Sequence, residues 1–337
     1  MNPVLRIGVL GAAKIARTQL IPAIEMANGA AFWGVASRNR QTAQAFVEQV
    51  GGGVALEGYQ ALLDAEEVDV IYNPLPNDLH VELSIKALEA GKHVLCEKPI
   101  ALNAEDAKRL SLAASKFPEL KVMEAFMYRF HPQWQQVLDW IAEGAIGQVR
   151  SVSSQFCYNN HDPANIRNNP AAGGGALMDI GCYGISATRM VMGCEPRRVV
   201  AVAEMHPEFG VDDVSHLIMS FADGASATVV VSTKSQRSQS VTIEGSAGRI
   251  VLTHPFYCDE GDERIIRLET DDADQEIAFA GSINHYQLMV EAFVSSVSNK
   301  AAVPLSLSDS VANMAVIDAA FQSIESQTWA AIPRDYE

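Results

Sequence analysis

Cysteine is scarce and unpatterned in this chain. Cys96, Cys157, Cys182, Cys194 and Cys258 are odd in number and form no C-x-x-C pair. Neither a disulfide framework nor a thiolate zinc site is expected, and reduced thiols fit a cytoplasmic protein. Basic charge is also short: 25 Lys and Arg stand against 41 Asp and Glu, a formal net charge of −16. That balance excludes the broad basic footprint needed to hold nucleic acid or an anionic membrane surface. No apolar run approaches the ~20 residues of a membrane span, and Met1-Asn2-Pro3-Val4-Leu5-Arg6 lacks the basic-then-apolar pattern of an export signal. His216 and His285 are isolated, so no metal site is expected. What remains is a chain of 337 residues, 48% apolar, which is more than one core usually supports and enough for two.

The first 125 residues alternate apolar strands with helical periodicity, the pattern of a doubly wound parallel sheet. Val4 to Leu10 runs into Gly11-Ala12-Ala13-Lys14-Ile15-Ala16 and then a helix. This is a degenerate dinucleotide fingerprint, with Ala13 where the middle glycine would let the backbone approach a pyrophosphate. Ala is the smallest substitute, and the amides of a helix N-terminus still favour an anion. The next strand, Ala31 to Ala36, ends in Ser37-Arg38, where an NAD site would place an acid. A hydroxyl and a guanidinium suit a 2′-phosphate instead, which predicts NADP(H), with NAD(H) as the secondary cofactor. Val68 to Tyr72 ends in a stiff double-proline loop, so Leu75, Asn77 and His80 are candidate cofactor contacts, although a rigid turn capped by Asp78 explains the same residues. Open parallel sheets bind ligands beyond the carboxyl ends of their strands. That principle singles out Glu97-Lys98-Pro99 after the strand His93 to Glu97. Pro99 restricts Lys98 to extended backbone, and X-Pro is the one bond at which a cis peptide is cheap.

Beyond residue 125 the period changes. Tyr128 and Arg129 lie in an aromatic, basic junction and are candidate substrate contacts, with simple packing as the plainer reading. A polar loop from Asn159 to Asn169 precedes Gly173-Gly174-Gly175 and a helix on which Asp179 and Tyr183, four residues apart, share one face. Alternating runs up to Leu252, with an Asp223-Gly224 turn, predict antiparallel strands. Glu269 to Glu276 reads as a solvated acidic loop, and two helices finish the chain. The expected architecture is α/β: an N-terminal Rossmann domain over 1–125 that binds NADP, and a C-terminal α+β domain over 126–337 with a large, mostly antiparallel open sheet.

The fingerprint, Ser37-Arg38, Glu97-Lys98-Pro99 and Asp179-Ile180-Gly181-Cys182-Tyr183 together resemble the Gfo/Idh/MocA oxidoreductase family. Glu124 to Pro132 and Tyr183 are most similar to its branch of dimeric dihydrodiol dehydrogenases and NADP-dependent xylose dehydrogenases; relatives such as inositol dehydrogenases carry histidine in place of Tyr183. The resemblance implies a dehydrogenase or reductase acting on CH-OH groups of a sugar or diol. Lys98 is then the catalytic lysine, Tyr183 contacts substrate and exchanges the proton, and Asp179 orients substrate; Gly11, Ala12, Ala13, Lys14, Ile15, Ser37, Arg38, Glu97 and Lys98 itself belong to the cofactor site. It allows a cis Lys98–Pro99 bond and implies a homodimer or homotetramer. The alternative within the same fold is a non-catalytic dinucleotide- and sugar-binding sensor, against which the joint presence of Lys98, Asp179 and Tyr183 argues. A short-chain dehydrogenase is excluded by Ala187, which stands where its Tyr-x-x-x-Lys motif needs lysine.

Overall fold

The computed structural model describes residues 4–258 and 261–334. They form two units, one of residues 4–127 and 284–311, the other of 128–283 and 312–334.

In the first unit, β1 (Leu5–Leu10) turns through Gly11 into a π-helical turn (Ala16–Leu20) that continues as α1 (Ile21–Met26). The chain then alternates: β2 (Ala30–Ser37), α2 (Arg40–Gln49), β3 (Val54–Glu57), α3 (Tyr59–Leu63), β4 (Val70–Asn73), α4 (His80–Glu89), β5 (His93–Cys96), α5 (Ala104–Ala114) and β6 (Val122–Glu124). The strands pair in parallel in the order β3-β2-β1-β4-β5-β6. Strand order reverses between β1 and β4, the switch point at which such sheets leave a crevice beyond the strand ends. Val70, Ile71, Tyr72, Val94 and Cys96 are fully buried, as expected of strands covered on both faces. The Asn39 side chain caps α2 by accepting from the amides of Gln41 at 2.8 Å and Thr42 at 3.2 Å, and Asn103 caps α5 by accepting from Asp106 N at 2.8 Å. The sequence pattern misses β3: Gly51 to Gly53 read as a plain connector, yet they lead into a short, half-exposed edge strand whose pairing with β2 supplies the order.

The second unit contains α6 (Pro132–Ala142), β7 (Val149–Asn159), α7 (Cys182–Met192), β8 (Arg198–Met205), β9 (Asp212–Ser220), β10 (Ser226–Ser232), β11 (Lys234–Gly245), β12 (Gly248–Leu252), β13 (Arg264–Thr270), β14 (Asp274–Phe279) and β15 (Ala330–Ala331). These strands form one sheet in the order β14-β13-β12-β11-β7-β10-β9-β8-β15, antiparallel except for the parallel pair β7–β10. The Asp223-Gly224 hairpin forms as expected between β9 and β10. The acidic run does not stay a loop. It is the hairpin of β13 and β14, with Glu269 opposite Asp274, and cross-strand ion pairs Arg249–Glu269 at 2.6 Å and Arg267–Glu276 at 2.7 Å offset its charge. Ile266 and Leu268 point inward from it. Two further helices follow, α8 (His285–Ser298) and α9 (Leu307–Ser326). Helix α8 returns to the first unit, where Glu291 accepts from the backbone and side-chain amides of Asn28, both at 3.0 Å.

Candidate active site

In the first unit the chemistry gathers beyond the carboxyl ends of β1, β2, β4 and β5. Gly11 has φ +78 and lies so close to Leu75 that an added Cβ would meet its Cδ2 at 2.7 Å, so glycine is required on both counts. After it Ala12 and Ala13 are half-buried and Lys14 exposed, while Ala16 is packed away. The side chains of Ala12 and Ala13 are single methyl groups, which fits the close approach of a pyrophosphate. Ala12 also borders a groove of about 410 Å³ lined by Arg17, Gln41, Thr42, Ala45, Phe46 and Gln49. Ser37 is buried at the end of β2 and Arg38 beside it is exposed, leaving a guanidinium free to meet a phosphate.

Glu97, Lys98 and Pro99 follow β5, with a cis Lys98–Pro99 bond. Glu97 accepts the Tyr72 hydroxyl at 2.6 Å on one oxygen and the Lys98 amide at 3.3 Å on the other. Burial, and next the Glu97 carboxylate, push the Tyr72 phenol up, so it remains a donor. His80 is fully buried, its Nε2 2.7 Å from the Leu75 carbonyl and its Nδ1 2.8 Å from the Pro99 carbonyl. Burial drives the imidazole down to about 4 against the pull of those carbonyls. At neutral pH it therefore carries one proton and donates to one carbonyl at a time. His80 thus sits between the loop after β4 and the lysine loop and donates to either, while Asn77 is half-exposed.

In the second unit the helical segment that carries α7 begins as a π-turn, Leu177–Gly181. Asp179 lies in this turn. Its Oδ2 accepts the Tyr158 hydroxyl at 2.5 Å and faces Arg167 Nε at 2.9 Å. Tyr183 is 6% exposed and is walled by Tyr128, Phe156 and Phe256, with ring centroids at 5.7, 5.7 and 5.6 Å. Tyr128 is fully buried and donates its hydroxyl to Ser186 Oγ at 2.8 Å, so it stands behind the Tyr183 ring. Arg129 is half-exposed in the adjoining 3-10 turn.

Residues 5–125 match the oxidoreductase family with NAD-binding Rossmann fold, and residues 134–251 match the GFO/IDH/MocA C-terminal domain. The chain belongs to the Gfo/Idh/MocA family. It is an NAD(P)-dependent oxidoreductase. It is 37% identical over 97% of its length, and 99% of the other chain, to an uncharacterised oxidoreductase of Rhizobium meliloti. It is 33% identical over the same shares to an NADP-dependent D-xylose 1-dehydrogenase of Haloferax volcanii. Among solved structures, a 3-ketoreductase from Actinomadura kijaniata, in complex with NADP and TDP-benzene, superposes with a TM-score of 0.89 at 32% identity, covering 96% of this chain and 98% of that one.

Two polar residues of this Gfo/Idh/MocA protein's second unit, Tyr158 and Arg167, escape the sequence reading. Both lie on or beside the polar loop that reading flags as long enough for function, but nothing local says which of its residues reach Asp179. Asp212 escapes it too. Its Oδ2 accepts from Leu177 N at 2.8 Å and Ser215 Oγ at 2.6 Å, capping the π-turn from a neighbouring strand. Burial raises the Asp212 carboxyl to about 6 from its ordinary 3.8, against those hydrogen bonds, and Asp213 adds to the rise. Below about pH 4 both folded and unfolded chains hold this proton. Above about 6 only the folded chain carries a buried charge, so the contribution of Asp212 to stability falls as pH rises between these values, by roughly 1–3 kcal/mol. Thermal unfolding at pH 4.5 and 6.5 should show the Tm of Asp212→Asn gaining on wild type at the higher pH; a constant offset would contradict the assignment.

Among the described residues no group of three or more His, Cys, Asp or Glu could hold a metal, and no helix is long and apolar enough to cross a membrane.

Proposed function

We propose that this oxidoreductase transfers a hydride between NADP(H) and a carbinol or hemiacetal carbon of a sugar or diol. Lys98 and Tyr183 form the acid–base pair, and Asp179 orients the substrate through its hydroxyls. The observation that carries this reading is the pairing, one helical turn apart, of a carboxylate held by an arginine and a tyrosine with a second tyrosine in an apolar cage. That arrangement accompanies a lysine just beyond the carboxyl end of β5, an inner strand of the parallel sheet.

The nicotinamide ring, when bound, accepts or returns the hydride; everything else falls to the chain. The Gly11–Ile15 turn fits the pyrophosphate, while Ser37 and Arg38 fit a 2′-phosphate. As the carbinol carbon becomes a carbonyl, the hydroxyl proton passes to Tyr183, and in the reverse direction Tyr183 returns it. A phenol with a reference value of about 10 is a poor base at neutrality, and a nearby ammonium favours its ionised form. Supplying that ammonium, or bonding the substrate oxygen itself, is the part of Lys98. The relatives support the substrate class: the Haloferax protein is named for D-xylose and NADP, and the Actinomadura reductase was solved with NADP.

Nicotinamide absorbance with NADP and NAD across aldoses, anhydro-sugars, cyclitols and trans-diols tests the reading. Tight NADPH binding without turnover of any class would turn it towards a sensor. Arg38→Ala should lower the preference for NADPH over NADH by about 10- to 100-fold, the worth of one charge-assisted contact. Fluorescence titration with both cofactors reads this directly, and an unchanged ratio would refute the role of Arg38.

A further inference from the structure

Arg167 lies between β7 and α7 on a 3-10 turn, Ile166–Asn168, in a loop whose side chains are mostly exposed. Two connections nevertheless fix it. Its Nε lies 2.9 Å from Asp179 Oδ2. Its carbonyl accepts from Gly175 N at 2.9 Å, and the Gly175 carbonyl accepts from Asp179 N at 3.0 Å. Loop and acid are therefore joined once through side chains and once through a backbone relay. The same Oδ2 takes the Tyr158 hydroxyl at 2.5 Å.

Two donors on one oxygen, one of them charged, set the plane of the carboxylate and favour its ionised form where its side chain is only 10% exposed. Both donors keep their protons. The Asp179 charge raises the Arg167 guanidinium further, and burial followed by that same charge raises the Tyr158 phenol. An ionised carboxylate can only accept, whereas a protonated one also donates.

We propose that Arg167, assisted by Tyr158, is a specificity-determining positioning residue that keeps Asp179 a fixed acceptor, so that the site selects substrates with a hydroxyl beside the reacting carbon. The inference rests on the function proposed above, in which Asp179 faces the substrate. A substrate hydroxyl donates to Asp179; a deoxy analogue leaves that acceptor unanswered. The resulting preference for the hydroxylated member should be about 10- to 100-fold, as for one hydrogen bond to a charged group.

The test uses NADP+ with two probe pairs, D-glucose with 2-deoxy-D-glucose and trans-1,2-cyclohexanediol with cyclohexanol. kcat and KM are measured for wild type, Arg167→Met, Arg167→Lys and Lys98→Met. In Arg167→Met the preference for the hydroxylated member should fall by about tenfold or more, with part of it restored in Arg167→Lys. A double-mutant cycle with Asp179→Asn in thermal unfolding reads the pair without turnover: Arg167→Met should lower Tm less when Asp179 is already Asn. Turnover that is lost in Lys98→Met, but with a preference unmoved by Arg167→Met or an additive cycle, overturns this inference alone. Wild-type turnover of neither pair overturns the inference, and turnover of no aldose, anhydro-sugar, cyclitol or trans-diol overturns the proposed function with it.

Discussion

Lys98→Met should lower kcat by about 10³-fold, and Tyr183→Phe by 10²- to 10⁴-fold, the range expected when a positioned acid–base group is removed. Both variants should still fold and bind NADPH, because the Gly11 turn and the exposed guanidinium of Arg38, proposed to hold the cofactor's phosphates, are untouched. Met keeps the length of the lysine stem without its charge, and Phe keeps the Tyr183 ring within its cage of Tyr128, Phe156 and Phe256. The loss is therefore expected in kcat and in kcat/KM alike, as for an interaction made only in the transition state. If Lys98 acts by favouring the Tyr183 phenolate, Lys98→Met combined with Tyr183→Phe should be scarcely slower than either alone, since groups that act as a unit are not additive. Steady-state absorbance at 340 nm, with circular dichroism to confirm folding, decides the matter. Ordinary turnover in both folded single variants would end the acid–base assignment.

Gly175→Ala should destabilise the protein by about 3 kcal/mol or more. Two causes add. Gly175 has φ +110, which L side chains rarely adopt, and its missing Cβ leaves room for Asp212 Oδ1, which would otherwise be overlapped. Displacing Asp212 also breaks its hydrogen bonds to Leu177 N and Ser215 Oγ, leaving a π-turn amide uncapped. Asp179 lies two residues further along that turn, so turnover should fall with stability. Thermal unfolding measures the first effect and kcat the second. A Tm within about 1 °C of wild type would mean that Asp212 can move aside at little cost, and that the glycines serve only the turn.

The parallel sheet was legible because its evidence is local. Each strand ends in a turn whose residues differ in kind from the apolar run before it, and Asn39 and Asn103 announce the helices they cap. Lys98 was legible for the same reason, as a charge at the end of a buried strand. The edge strand β3 was not, since Val54–Glu57 is half-exposed and too short for a period to show. The β13–β14 hairpin hid behind its acids, two of which, Glu269 and Glu276, pair with Arg249 and Arg267 from positions that only strand register brings opposite.

Around Asp179 the division is sharper. Sequence alone placed it four residues before Tyr183 on one helix and marked the glycines ahead of it, because helical spacing and glycine content are properties of a continuous stretch. Its partners come from elsewhere: Tyr158 is 21 residues away, at the end of a strand, and Arg167 comes from an exposed loop. Asp212, which caps the turn, is 35 residues beyond Leu177. Similarly, the sequence offered His80 as a cofactor contact, and only the fold placed its ring between the carbonyls of Leu75 and Pro99. The sequence by itself thus determined the Rossmann framework, the place of Lys98 after a buried strand and the shared helical segment of Asp179 and Tyr183. Tertiary structure decided what holds that acid and that lysine loop in place, because a hydrogen bond or ion pair between distant segments exists only once chain closure has brought its partners within about 3 Å.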